Sequence, residues 1–318
     1  MTRRILVTGG TGFVGRYALA ALARTCGRDD RILATTRVEP SPSDRISWQR
    51  LDVTDEAKTE AVVEAFNPTH ILHLAAAASV AGATAAPALA WRVNVLGSLN
   101  VAAAAARRAP HATLLMVSSS EVYGRAFQSG EALTEETQPD PKSVYGRSKL
   151  AAEMAVADVA PPEGQLLTLR PFNHIGPGQD ERFVAASFAA QVARIEAGAQ
   201  TTIETGDLSA QRDFLDVRDV AEAYAKLVVR SNELPARGTY NICSGLARPV
   251  ADILDGLRRL SLAEFDVRQH PDRMRPSDIP SARGDASKLA AAIDWRPQHS
   301  IDETLNAILA DARLRASG

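Results

Sequence analysis

The chain has 318 residues, with 36 Lys+Arg set against 38 Asp+Glu for a formal net charge of -2, and no block of like charges. Nothing in that balance points to nucleic acid or an anionic membrane surface as the partner, so an acidic ligand would have to be held by a few placed arginines. With 45% hydrophobic residues at this length, the chain can bury a large core, as one big α/β domain or as two lobes.

Cys26 and Cys243 are far apart and form no CxxC pattern, which points to reduced thiols in a cytoplasmic protein. The first strand opens almost at Met1, so no secretory signal peptide is expected. The alanine-rich stretches Ala75 to Ala90 and Ala102 to Ala106 are interrupted by Pro87, Trp91 and Arg92, or stop at Arg107-Arg108. They read as packed helix and loop, not as a membrane span.

In chain order, Ile5-Leu6-Val7 is an apolar run of the kind that forms a buried parallel strand. It runs into Gly9, Gly12 and Gly15, and then into an amphipathic helix through Tyr17, Leu19 and Leu22. Strand, glycine turn and helix together suit a dinucleotide. Gly9 makes the turn, Gly12 admits a pyrophosphate, Gly15 lets helix and strand pack, and the helix dipole favours the phosphate. An ordinary glycine-rich turn is the alternative. Arg31 to Thr36 is strand two, ending in Arg37. A carboxylate there would bind the ribose of NAD, whereas an arginine suits the 2′-phosphate of NADP. Glu39, two residues on, keeps NAD(H) open, and an exposed strand-end arginine is the plain alternative. Trp48 to Val53 is strand three, with Thr54 as a candidate cap for a helix from Asp55 to Phe66. Asn67-Pro68 ends that helix, and His70 to Leu74 is strand four.

A single helix is expected from Pro87 to Arg108, carrying Asn94, before strand five at Thr113 to Ser118. A helix from Ser143 to Val159 carries Tyr145 and Lys149, and Leu166 to Arg170 is strand six. This alternation predicts a Rossmann-type α/β fold, a doubly wound parallel sheet with a smaller C-terminal lobe. Residues 1–170 form the nucleotide-binding domain, with elements at about 213–243 returning to it. Residues 171–212 and 244–318 form the lobe over the strand ends, where such sheets bind ligands. The lobe holds predicted helices Phe183 to Ala197, Pro249 to Leu260 and Ile301 to Arg313.

Tyr145 and Lys149 are four apart, on one helix face. A phenol of pKa about 10 works as an acid near neutrality only if a cation steadies its phenolate, and a lysine one turn away does that. Ser119 leaves strand five where the crevice should lie, placed to hydrogen-bond a substrate carbonyl. Alone, a Tyr–Lys pair at this spacing is common surface decoration. His70 and His73 have no third ligand at metal spacing, so no metal is expected; His174 reads as a packed loop histidine, with a substrate contact beside Asn173 as the alternative.

TGGTGFVG at Thr8 to Gly15, Asp52-Val53, Asn94 in NVLGS, Ser119, and YGRSK at Tyr145 to Lys149 together resemble the extended short-chain dehydrogenase/reductase family over nearly the whole chain. The resemblance implies a catalytic group of Ser119, Tyr145 and Lys149, with Asn94 supporting the lysine through a water relay. It implies a cofactor, NADP(H) with NAD(H) left open, held by Gly9, Gly12, Phe13, Val14, Gly15, Arg37, Asp52, Val53, Leu74, Ala75, Ala76, Tyr145 and Lys149, the lysine on the nicotinamide ribose. Pro171 and Asn173 would flank nicotinamide and sugar nucleotide. RPFNHIGPGQ, RDFLDVRDV, YNICSG and RPSDIP resemble the members that reduce GDP-linked 4-keto-6-deoxy-mannose. For substrate, this implies contacts from Ser119, Ser120, Glu121, Asn173, Arg212 and Arg275, the two arginines on the diphosphate. In sugar-nucleotide 4,6-dehydratases, a glutamate at the place of Glu121 removes a proton from sugar C5, so Ser119-Ser120-Glu121 leaves that activity as the alternative. A protein that binds NADP without turnover is a third reading, against which Ser119, Tyr145 and Lys149 are all present. A homodimer through the helices carrying Asn94 and Tyr145 is expected, helped by the weakly charged Ala102 to Ala106 face.

Overall fold

The computed structural model describes residues 2–38, 45–273 and 279–316. Ile5 and Val7 face one side of the first strand and Leu6 the other, and each side packs into a different core cluster. A strand buried on both faces is the mark of a parallel sheet covered by helices above and below. Strands β1 (Arg4–Thr8), β2 (Arg31–Thr36), β3 (Ile46–Arg50), β4 (His70–His73), β5 (Thr113–Val117), β6 (Gln165–Pro171) and β10 (Arg237–Ile242) form this sheet, in the order β10-β6-β5-β4-β1-β2-β3. Every pairing in it is parallel. The order reverses between β1 and β4, so their C-terminal ends diverge into the crevice where ligands bind in such folds.

Helix α1 (Phe13–Thr25) covers one face together with α8 (Val217–Val229) and α10 (Ser287–Ile293). Helices α2 (Glu56–Phe66), α5 (Ser98–Arg108) and α6 (Val144–Val159) cover the other. Strands β7 (Asn173–Ile175), β9 (Gln211–Asp216), β11 (Ala247–Pro249) and β13 (Ser281–Ala282) make a small mixed sheet, and β8 (Thr202–Thr205) pairs with β12 (Asp266–Gln269). Helices α7 (Val184–Glu196), α9 (Val250–Leu260) and α11 (Ile301–Ala316) enclose a third apolar cluster in this C-terminal part. The loop after β7 clasps α1: Tyr17 donates to the Pro177 carbonyl at 2.8 Å and Arg16 to that of Gly178 at 3.0 Å. Among the described residues, no helix is long and apolar enough to cross a membrane.

Three expectations need correction. Strand three stops at Arg50, because the Asp52 carboxylate folds back to accept from the Thr54 amide (2.9 Å) and hydroxyl (2.8 Å), turning the chain out of the ladder. Thr54 is thereby occupied, and Asp55 caps α2 by accepting from the Lys58 amide at 3.1 Å. The expected helix from Pro87 to Arg108 is three pieces: α4 (Pro87–Trp91), a π-helical turn at Arg92–Gly97, and α5, with a further short helix α3 (Val80–Ala85) before them. Finally, of the Ala102 to Ala106 face, Ala102, Ala104 and Ala105 are buried within the protomer, against the sheet, and only Ala103 and Ala106 are partly exposed.

Candidate active site

The turn after β1 needs its glycines. Gly9 has φ +73°, and a Cβ there would lie 2.8 Å from the Ala75 amide nitrogen. A Cβ on Gly15 would collide with the Gly9 carbonyl, so helix and turn touch through backbone. Gly12 caps α1 without a side chain and is exposed, leaving the first-turn amides facing outward. This bare, positive helix end fits a dinucleotide phosphate. The strand-four exit closes beside it, with the Leu74 amide on the Thr8 carbonyl and the Ala75 amide on the Thr8 hydroxyl, both at 3.2 Å. Phe13 stacks on His174 with centroids 6.2 Å apart. His174 is itself bonded to the Phe172 carbonyl, and burial depresses its pKa, so it is a packed histidine.

Arg37 is exposed at the end of β2. The Thr54 amide and hydroxyl hold the Asp52 carboxyl below its usual range, and the Arg37 and Arg92 guanidinium groups add to that. Arg37 and Arg92 thus bring positive charge to the rim where Asp52 sits. The Val53 carbonyl accepts from Asn100 at 3.0 Å.

Ser143 caps α6 by accepting from the Gly146 amide at 2.9 Å. Gly146 lies so close to the Glu121 carbonyl that the helix start is pressed onto the turn after β5. This contact brings Tyr145 to Ser119, whose hydroxyl acts on the phenol. The Tyr145 ring is held between Ala83 of α3 and Ala90 of α4. Burial pushes its phenol well up; the Ser119 hydroxyl opposes this and the Glu121 charge adds to it. One turn on, Lys149 is buried and donates to the Val117 carbonyl at 2.8 Å. Burial pushes it down to about 8, against the opposing charge of Glu153.

Asn94 sits in the π-helical turn, a feature that tends to occur at functional sites. Its carboxamide accepts from the Ala77 amide (2.8 Å) and donates to the Ser148 hydroxyl (2.9 Å), which donates to the Tyr145 carbonyl (2.8 Å). Its direct tie to α6 is therefore Ser148 rather than Lys149. Behind it, Ser98 donates to the Asn94 carbonyl at 2.6 Å and bonds His73, which also bonds Thr8. A buried polar chain thus runs from the glycine turn to the Tyr145 helix. His70 is likewise committed, to Thr69 and Ser231. Among the described residues, no group of three His, Cys, Asp or Glu side chains could hold a metal.

Ser119 also accepts from the Glu121 amide at 3.2 Å, and Ser120 is buried beside it. Burial raises the Glu121 carboxyl, opposed by Arg212 and by a 3.4 Å bond from Ser143. Arg212, on β9, donates to the Gln211 and Ile279 carbonyls at 2.7 and 3.1 Å and faces Glu121. Asn173 is exposed on β7. Arg275 and Glu39 lie outside the described residues. Sequence reasoning did not single out Ser148, Ser98 or Thr8, or the pairing of Glu153 with Arg170. Asn94 and Ser98, one turn apart, and Ser148 inside YGRSK were the available signals.

A Rossmann sheet whose fifth strand hands a serine to a Tyr-x-x-x-Lys helix is the arrangement of the extended short-chain dehydrogenase/reductases, and this chain is one of them. Within that class it belongs to the GDP-mannose 4,6 dehydratase family, whose sequence profile matches residues 6–308. It is 35% identical over 315 residues to a GDP-6-deoxy-D-mannose reductase of Pseudomonas aeruginosa, covering 98% of this chain and 97% of that one. A GDP-6-deoxy-D-talose 4-dehydrogenase of Aggregatibacter actinomycetemcomitans is 29% identical over 287 residues, 90% of each chain. Among solved structures, RMD from Pseudomonas aeruginosa complexed with NADPH superposes with a TM-score of 0.83 at 34% identity, covering 99% of this chain and all of that one.

Proposed function

We propose that the protein is an NADPH-dependent reductase acting on the C4 ketone of GDP-4-keto-6-deoxy-D-mannose to give GDP-D-rhamnose. The observation that carries this is the buried Tyr145 beside Ser119, with the buried Lys149 one turn away, at the C-terminal edge of the sheet. The full-length likeness to a reductase of a GDP-linked 6-deoxy sugar supports the substrate. NADPH, bound on Gly9 to Gly15 with Asp52, Val53 and Leu74 to Ala76 along it, supplies the hydride. Arg37 takes its 2′-phosphate, in keeping with the NADPH carried by the P. aeruginosa RMD structure; NAD(H) is the weaker fit.

Tyr145 donates the proton to the oxygen that becomes the C4 hydroxyl, Ser119 steadies that oxygen, and Lys149 holds the phenol ready to release its proton. A positioned acid contributes about 10²-fold or more, and an oxyanion donor about 3 kcal/mol. Arg212 and Arg275 bind the diphosphate, Asn173 and Ser120 line the sugar, and residues 171–212 and 244–318, apart from α10 on the main sheet, form the lobe over it. Tyr145→Phe should lower kcat by at least about a hundredfold while leaving NADPH affinity intact. Unchanged turnover in that variant would remove the assignment.

One observation favours a second reading. Glu121 is buried beside Tyr145, where a 4,6-dehydratase would keep its C5 base. Offering GDP-mannose and, separately, its 4-keto-6-deoxy derivative with NADPH separates the two. Water loss from GDP-mannose without net NADPH consumption would favour the dehydratase, and Glu121→Gln should then abolish activity that a reductase would keep. For assembly, we propose a homodimer through the neighbouring faces of α4, the π-helical turn and α6, where Leu89, Trp91, Leu96 and Met154 are exposed. The two cysteines, buried and unbridged, fit a cytoplasmic setting.

A further inference from the structure

Helix α6 is fastened to the sheet by two polar side chains in successive turns. Lys149 reaches the Val117 carbonyl on β5 at 2.8 Å. Glu153, four residues later on the same face, reaches Arg170 on the adjacent strand β6. There the guanidinium grips both carboxylate oxygens, Nε to Oε1 at 3.0 Å and Nη2 to Oε2 at 2.7 Å. Both side chains of this fork are at most 10% exposed. Arg170 is held in turn: its Nη1 donates to the Tyr123 hydroxyl at 3.1 Å, and its plane lies over the Tyr123 ring at 5.0 Å. Tyr123 donates to Asn241 of β10 at 2.8 Å. So three adjacent strands set the rotation of α6, in a buried network with every member partnered.

We propose that Glu153, gripped by Arg170, is a positioning residue for the reaction, acting through Lys149. Its buried carboxylate lies one turn from the ammonium, and the fork fixes the face that α6 turns to Ser119. A pair of this kind is poor evidence of stability, since two charges taken from water gain little over apolar residues of the same volume. Its placement directly behind Lys149 is better explained by what it does to that amine. Burial alone disfavours the ammonium, and Glu153 is the group that opposes this.

The other groups facing Lys149 do not supply a compensating charge. His73, on β4, is neutral above about pH 3. Tyr145 is protonated at neutral pH, its phenol pushed up by burial. Glu121, on the turn after β5, acts on Tyr145 and is itself paired in charge with Arg212. Arg170, on β6, has its charge met by Glu153 itself. This inference rests on the assignment of Tyr145 and Lys149 to proton donation.

The test is the pH dependence of kcat for ketone reduction in full-length variants, with the Lys149 Cε resonance of 13C-lysine-labelled protein as a second readout, assigned by its loss in Lys149→Arg. Glu153→Gln should move the alkaline limb of kcat and the Lys149 titration together to lower pH, by about half to one unit. Glu153→Asp keeps the charge and should restore both towards the original. Arg170→Met breaks the same fork but leaves the carboxylate, so it should not lower either value, even if it weakens folding. A purely structural role predicts the same loss from Glu153→Gln and Arg170→Met. Equal downward shifts in those two variants would overturn the proposal, as would an unmoved titration in Glu153→Gln. If Arg170→Met is not recovered folded, the Gln and Asp variants decide alone. Full turnover by Tyr145→Phe would instead mark failure of the underlying assignment.

Discussion

Gly146→Ala is a sharp test of how the site is assembled. The added Cβ would stand 2.4 Å from the Glu121 carbonyl oxygen, and 3.1 Å from both the Glu121 carbonyl carbon and Pro141 Cβ. An ordinary carbon–oxygen approach is about 3.3 Å, so the first turn of α6 must recede by about 1 Å. The obstacle is backbone in the turn that carries Ser119 and Ser120, so no side chain can swing aside. Tyr145 precedes Gly146 and travels with it, away from Ser119. A misplacement of about 1 Å at the reacting groups costs on the order of 10²-fold in kcat. Stability should change much less: overpacking costs about 1–3 kcal/mol, offset by up to about 1 kcal/mol of helix propensity. The glycine turn lies elsewhere, so NADPH affinity by fluorescence titration should hold. The expected result is a fall in kcat of about a hundredfold with the melting temperature and cofactor Kd near the original. A variant with kcat within about threefold of the original would refute the claim that this contact positions the tyrosine.

Three further outcomes follow from other parts of the chain. Arg37→Ala should raise KM for NADPH far more than for NADH, by about tenfold or more for one lost charged contact to phosphate, and equal effects on both would remove Arg37 from that role. Burial holds His70 at about 4 and His73 at about 3, below the ordinary 6.5, so both fold in the neutral form. Stability from these two is complete above pH 6.5 and declines as pH falls through 6.5 towards 4 and 3, by about 2 kcal/mol each at pH 5. Urea midpoints at pH 7.5 and 5 for the protein and its His73→Asn variant check this; a midpoint indifferent to pH would contradict it. Leu96→Arg combined with Met154→Arg should convert a sedimenting dimer to a monomer, and an unchanged mass would place any interface elsewhere.

The parallel sheet was legible because its strands are short apolar runs and its first turn carries glycines at chemically necessary places. What the local pattern could not carry was decided at a distance. The run from Pro87 to Ala106 keeps a helical period throughout, so the π-helical turn left no trace. It depends on Asn94 reaching Ala77 and Ser148 from other elements. Alanines are small enough for either the interior or a surface, and only the position of the sheet under α5 puts Ala102, Ala104 and Ala105 inside. Thr54 and Asp55 are both good caps, and Asp52 settled the choice by engaging Thr54 first. Ser148 and Ser98 look like solvent-facing residues until the buried chain from Thr8 to Tyr145 is traced. Ser119, Tyr145 and Lys149 were readable because each stands at a strand end or at helical spacing, features that survive without knowledge of the packing.

The electrostatics of the site give it a direction. Burial disfavours the charged form of both partners: it keeps the Tyr145 phenol protonated and draws Lys149 down to about 8. A tyrosine in that state donates a proton readily only if something nearby stabilises what remains, and the groups within reach are Ser119 and Lys149. A base for the reverse reaction would need the phenolate in the ground state, which the same burial opposes, and which the Glu121 charge opposes further. Reduction of a ketone therefore meets the site in its resting protonation state, whereas oxidation of an alcohol must first take a proton from a buried phenol. On this argument Glu121 need not be a base to matter. A carboxylate beside Tyr145 that raises its pKa keeps the acid loaded, and Arg212 across from it works against the loss of that charge to burial.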